Sequence, residues 1–111
     1  MINVLFQEMK DEFYRVLEAT GFSAERATTL ARIFAETTRD GVHSHGINRF
    51  PMFVEQMRSG MTNVNVAPEQ TGNLGIIEQW DGKMGVGPLN AHFCMGRAIA
   101  LAQEHGMGCA A

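Results

Sequence analysis

The segment Asp40-Gly41-Val42-His43-Ser44-His45-Gly46-Ile47-Asn48-Arg49 holds two imidazoles, a hydroxyl and a guanidinium within ten residues, interleaved with two glycines. A guanidinium presents a planar fork of donors that matches a carboxylate, and an imidazole can hand over a proton near neutral pH. Brought into one space, the two suit reduction of a ketone in an acidic molecule. Arg49 would hold the carboxylate while His45 protonates the carbonyl oxygen as hydride arrives. If helical geometry begins near His45, Arg49 lies one turn further on and shares its face. The N-terminus of such a helix adds positive potential for an anion, and the same potential opposes protonation of His45, so a working acid needs a compensating partner. Spacing alone leaves a second reading open, because His and Ser ahead of a helix commonly cap it and an Arg on an amphipathic helix is commonly solvated.

The elements that must carry this segment follow from apolar period. Phe6, Met9, Phe13, Val16 and Leu17 recur at three and four, which predicts a helix closed by Gly21 in a left-handed C-terminal position. Ser23 suits an N-cap, Glu25 suits the positive helix end, and Ala27, Leu30, Ala31, Phe34 and Ala35 define the buried face of a second helix that stops before Gly41. Phe50, Phe53, Val54 and Met57 mark a third, with Pro51 in its first turn and Gly60 after its end.

Residues 61–73 lose the period at Asn63, Asn65 and Pro68 and are expected to be an extended connector without an element of their own. Leu74 to Trp80 then reads as one strand leading into an Asp81-Gly82 turn, and Ala91, Met95, Ala98, Ile99 and Ala102 as the packed face of a last helix up to Gly106. Gly106 to Ala111 has the composition of a turn and the first residues of a further apolar element. The expected class is α+β: an orthogonal helical cluster over residues 1–60, followed from residue 74 to 111 by the start of a mixed α/β sheet domain of non-Rossmann type.

Composition narrows the function. With 45% hydrophobic and 19% charged residues the chain is a packed globular protein, and a net charge of −3 leaves no basic stripe for nucleic acid. Neither a basic leader followed by an apolar stretch nor a run of roughly eighteen apolar residues occurs, so the expected location is cytoplasmic. Cys94 and Cys109 lack a C-x-x-C spacing and read as reduced thiols. The methionines, scattered over helical faces, read as core filler, and Trp80 as a seal between strand and helix.

Three other chemistries fail on spacing. Gly85-Val86-Gly87 is followed by Pro88, so the third glycine of a dinucleotide fingerprint is missing. His43, His45 and Asp40 fall short of a tight metal site without a second ligand cluster, so no metal is expected. Ser44 lacks the G-x-S-x-G elbow that exposes a nucleophilic serine.

The stretch Gly41 to Pro51 resembles the signature of the type-2 malate/L-lactate dehydrogenase family. The likeness runs over essentially the whole chain: the opening helix to Gly21, the Ser44-His45-Gly46-x-x-Arg49 core, the Ile77-Glu78-Gln79-Trp80-Asp81 strand, the glycines after it, and the final helix to Gly106-Met107-Gly108. The resemblance implies a nicotinamide-dependent reductase of 2-oxo acids or related sugar acids, dimeric when intact, using NAD(H) ahead of NADP(H). It places the catalytic histidine at His45 and substrate-binding residues at Ser44 and Arg49. Thr38 and His43 stand where many members carry Asp, a departure from the malate or lactate pattern. The segments Asn48-Arg49-Phe50-Pro51 and Glu78-Gln79-Trp80 are similar to the branch acting on diketo sugar acids. The family's nicotinamide-binding segments fall beyond Ala111, so poor cofactor binding is expected of this chain alone. A non-catalytic helical association module is the competing expectation.

Overall fold

The computed structural model describes residues 2–111. Among the described residues four helices and three strands follow one another as α1 (Phe6–Thr20), α2 (Ala24–Arg39), α3 (Phe50–Arg58), β1 (Glu69–Leu74), β2 (Ile77–Asp81), α4 (Gly87–His105) and β3 (Cys109–Ala110). This is an α+β chain. It divides into two compact units, one through Asn65 and the other Val66–Ala111.

In the first unit, α1 ends where expected. Gly21 adopts φ 114° and donates to Glu18 O, while Phe22 N–H reaches Leu17 O at 3.2 Å, so the last carbonyls of the helix are satisfied without a Cβ penalty. Ser23 caps α2 by accepting from Arg26 N–H. The face expected for α2 is the one that is buried, Ala27, Leu30, Ala31, Phe34 and Ala35, and the same holds for Phe50, Phe53, Val54 and Met57 of α3. These stripes meet in an aromatic cluster: Phe50 lies 4.3 Å from Phe13 and 5.2 Å from Phe34, and Phe34 lies 5.1 Å from Phe53. Each such ring contributes roughly 1.5–3 kcal/mol by leaving water.

The expected connector resolves into two different things. Asn65 accepts from Ser23 N–H at 2.9 Å and donates to Gly21 O at 2.9 Å, and Arg26 Nε donates to Val64 O, so the stretch up to Asn65 is tied to the α1–α2 turn. Residues 69–73, expected to carry no element, instead form most of β1. Their side chains are polar and largely exposed, so no apolar alternation announced the strand. The single strand expected over residues 74–80 is likewise split: β1 ends at Leu74, Gly75 turns with φ 61°, and β2 starts at Ile77.

In the second unit β1 and β2 pair antiparallel, with Leu74 opposite Ile77, Asn73 opposite Glu78, and a bulge at Thr71. Beyond α4 the chain returns to pair β3 parallel to β2, Ile77 beside Cys109, giving a sheet in the order β1-β2-β3. Trp80 does seal strand against helix, its ring 4.7 Å from Phe93 in an edge-on arrangement.

The packed face of α4 matches the expected one only in part. Leu89 and Leu101 are buried and Phe93 and Arg97 share their row; of the expected residues Ala98 and Ala102 are half-buried, whereas Ala91, Met95 and Ile99 are exposed. This helix carries apolar residues nearly all round, so period alone does not fix which face turns inward. The methionines also depart from the core role: Met57 is buried, but Met52, Met61, Met84, Met95 and Met107 are exposed.

The inward row of α4 is set by charge. Glu78, 3% exposed, faces the helix from β2 and receives Arg97 Nη2 at 2.6 Å, Arg97 Nε at 3.0 Å and Trp80 Nε1 at 3.0 Å. A buried carboxylate is tolerated only when so matched. The Arg97 guanidinium, helped by the Trp80 indole, holds the Glu78 carboxyl below the ordinary value of 4.5. A carboxyl depressed in the folded state contributes stability that is complete above its unfolded pKa and is lost as pH falls through the folded one. Urea unfolding followed by Trp80 fluorescence should therefore lose midpoint as pH drops below about 5, and Glu78→Gln should make that acid limb shallower. An acid limb of equal steepness in the variant would refute the assignment.

Candidate functional site

The candidate segment begins as α2 ends. Gly41 takes φ 89° and donates to Thr38 O, and Val42 N–H reaches Thr37 O at 3.1 Å, closing the helix and turning the chain. A run of turns follows to Arg49, and α3 starts only at Phe50. The helical start expected near His45 is therefore not found. His45 N–H bonds to Val42 O, Asn48 N–H reaches back to His43 O, and Ile47 N–H leaves the local backbone to bond Thr38 Oγ1 at 2.9 Å. No regular i to i−4 ladder runs through these residues, so the argument that His45 and Arg49 share a helical face does not apply to them. They stand four residues apart on one compact run of turns.

Gly46 anchors that run. It is buried between exposed neighbours, and a Cβ there would run into Thr38 Oγ1 and lie 2.8 Å from Thr38 N and 2.9 Å from Thr38 Cα. Only glycine lets the turn sit this close to the C-terminal end of α2. At the other end Phe50 is locked between Phe13 and Phe34. On either side of Gly46, His43, Ser44, His45, Asn48 and Arg49 are all exposed.

The exposed groups are unequally occupied. Ser44 Oγ and His45 Nδ1 are in hydrogen-bonding contact at 2.9 Å, and His45 Nε2 has no partner among the described residues. A ring held by one nitrogen leaves the other open to a ligand. Arg49 makes no ion pair among the described residues; one of its nitrogens lies 3.6 Å from Met52 Sδ. It is a cation free to take an anion. His43 lines a separate groove of about 540 Å³ with Thr38, Arg39, Phe6 and Ile47, Arg39 standing 4.6 Å over the Phe6 ring.

The glycines before α4 form a turn. Lys83 and Met84 both adopt φ 56°, Lys83 N–H bonds Asp81 Oδ1, and Gly85 N–H bonds Gly82 O. Among the described residues no three His, Cys, Asp or Glu side chains gather as a metal site would need. No helix there is long and apolar enough to cross a membrane.

In the sequence Thr38 stands out as a departure from the family pattern, but its contact with Gly46 is not visible there. The signal was the glycine directly after the histidine, which demands a close neighbour but does not name it. The Glu78–Arg97 pair spans nineteen positions and left no local trace.

The fold and this turn are those of a known group. The sequence profile of the malate/L-lactate dehydrogenase family matches residues 4–111, and the chain belongs to that family. It is 46% identical over 107 residues to the 2,3-diketo-L-gulonate reductase of Citrobacter koseri, covering 96% of this chain and 32% of that relative. The chain thus spans about a third of the length of the curated relatives it matches. Among solved structures it superposes on the malate dehydrogenase of Entamoeba histolytica with a TM-score of 0.93 at 28% identity, covering 98% of this chain and 30% of that one. The malate dehydrogenase of Pyrococcus horikoshii gives 0.93 at 27% identity, with 98% and 31% covered.

The close approach at Gly46 is directly testable. Gly46→Ala should lower stability by roughly 1–3 kcal/mol through overpacking against Thr38, read by chemical denaturation. Gly96→Ala, where a Cβ on α4 meets nothing within 4 Å, should be neutral or stabilise by up to about 1 kcal/mol. Equal effects of the two substitutions would show that Gly46 is not under steric constraint.

Proposed function

We propose that this chain is the substrate-side part of a reductase that converts the keto group of a 2-oxo or diketo sugar acid, with 2,3-diketo-L-gulonate as the substrate, to an alcohol. The observation that carries the proposal is one exposed turn that presents a ring with a free Nε2, its Nδ1 held by Ser44, together with an arginine free of acidic partners. The names of the 44–46% identical relatives support the substrate.

In this reading Arg49 binds the substrate carboxylate through its fork, and Ser44 sets the imidazole so that Nε2 faces the carbonyl oxygen. His45 then gives a proton to that oxygen, completing the CH–OH group as the carbonyl carbon is reduced. NAD(P)H, with NADH preferred, supplies the hydride when bound. The residues of this chain do not by themselves fit the dinucleotide. The turn before α4 has two glycines where the fingerprint has three, Pro88 removes an amide donor, and Lys83 is paired with Glu69 at 2.7 Å. This agrees with a sheet of non-Rossmann type, and no step is assigned to residues here through the cofactor. We further propose that the intact enzyme works as a cytoplasmic homodimer; the exposed apolar Met95 and Ile99 on α4 support a packing partner there.

A malate- or lactate-type 2-hydroxy acid dehydrogenase is the second reading, favoured by the superposition on two malate dehydrogenases. The same residues would serve, with Arg49 on a smaller acid.

A chimera carrying this chain in place of the matching segment of the Citrobacter koseri relative tests both readings. It should oxidise NADH with 2,3-diketo-L-gulonate faster than with pyruvate or oxaloacetate. His45→Ala should lower kcat by about 10²- to 10⁴-fold, the range for a lost general acid, and Arg49→Gln should raise the KM for the acid above all. Parental turnover in the His45 variant would end the assignment, and a preference for oxaloacetate would favour the second reading.

A further inference from the structure

We infer that Thr38 is a positioning residue for His45: its hydroxyl, shared between α2 and the turn, fixes where the imidazole stands. The inference rests on the proposal that His45 is the proton donor, and it adds a residue outside the segment that touches substrate in that reading.

Three threonines of α2 donate their hydroxyl to the carbonyl one turn back: Thr28 to Ala24 O at 2.7 Å, Thr37 to Ile33 O at 2.7 Å and Thr38 to Phe34 O at 2.8 Å. That bond spends the single hydroxyl proton and aims the lone pairs away from the helix. At Thr38 alone of the three the oxygen also accepts a backbone bond from the turn, Ile47 N–H at 2.9 Å. The bonded amide is two residues past His45. The intervening Gly46 packs its α-carbon against Thr38 backbone, and its carbonyl accepts from Arg49 N–H at 3.0 Å. One hydroxyl thus ties the peptides that set both His45 and Arg49 to a helix whose inner face is buried around Phe34. Ser44, His45 and Arg49 have no comparable hold of their own, since their side chains are exposed.

Replacing the hydroxyl by a methyl keeps the shape of the side chain and leaves Ile47 N–H without its acceptor. The turn then loses the bond that fixes its distance from α2, while the Gly46 contact stays. A reacting group displaced by about 1 Å costs on the order of 10²-fold in rate, so the effect belongs in kcat and not in cofactor binding.

The test compares Thr38→Val, Thr38→Ser and Thr28→Val in the chimera described above, and follows hydrogen exchange at the Ile47 amide in this chain itself. Thr38→Val should lower kcat about 10- to 100-fold with KM for NADH unchanged. Thr38→Ser, which keeps the oxygen, should restore kcat to within about twofold, and Thr28→Val, which loses the same helical bond away from the turn, should match the parent. Exchange at Ile47 should quicken at least about tenfold in Thr38→Val alone. Parental kcat in Thr38→Val, equal losses in the Val and Ser variants, or unchanged exchange at Ile47 would each overturn the inference. If Thr38→Val fails to fold in the chimera, the exchange measurement decides. Because His45→Ala is assayed in the same background, loss of turnover there with none in Thr38→Val removes the role of Thr38 and leaves that of His45 standing; parental turnover in His45→Ala removes the reading beneath it.

Discussion

The approach of Gly46 to Thr38 is the constraint on which the candidate site depends. A backbone lies directly on a backbone where any side chain would intervene, and a hydroxyl bridges the two at 2.9 Å. Such a contact is short-ranged and leaves the turn little freedom, which suits the proton-donor role proposed for His45. The polar residues of the turn can remain in water because the turn is held from beneath by Thr38 and from its far end by Phe50 in the aromatic cluster. Rigid support under exposed chemistry is the usual division of labour between scaffold and loop.

The Val66–Ala111 unit solves a different problem with a different interaction. Its strands are short, β1 is largely polar, and its helix is apolar on more than one side, so area burial alone specifies the packing weakly. The Glu78–Arg97 pair, closed by the Trp80 indole, supplies what is missing: a carboxylate turned toward the helix permits only the arrangement that brings a guanidinium to it. Removing Arg97 would leave the buried Glu78 carboxylate without its cation, which makes wrong faces of α4 costly.

Family membership rests on residues 4–111, and within them two turns are built differently. The exposed turn carries groups suited to an acidic keto substrate, while the turn before α4 is built as a local connection, with Lys83 engaged by Glu69 and Asp81.

The sequence by itself determined the helices of the first unit, their caps and their buried faces, because period, Ser23, Gly21 and Gly41 act over one or two turns and their energetics are local. It also determined which side chains could do chemistry, since residue type is chemistry. Only the tertiary structure decided how the segment around His45 is shaped: its Ile47 amide bonds to Thr38, nine positions away, so helical spacing could not describe it. Only the tertiary structure decided the strand over residues 69–74 and the inward row of α4, because a polar strand and an all-round apolar helix carry no period of their own. They take their register from partners such as Glu78 and Arg97, whose attraction depends on distance in space and leaves no mark on neighbouring residues.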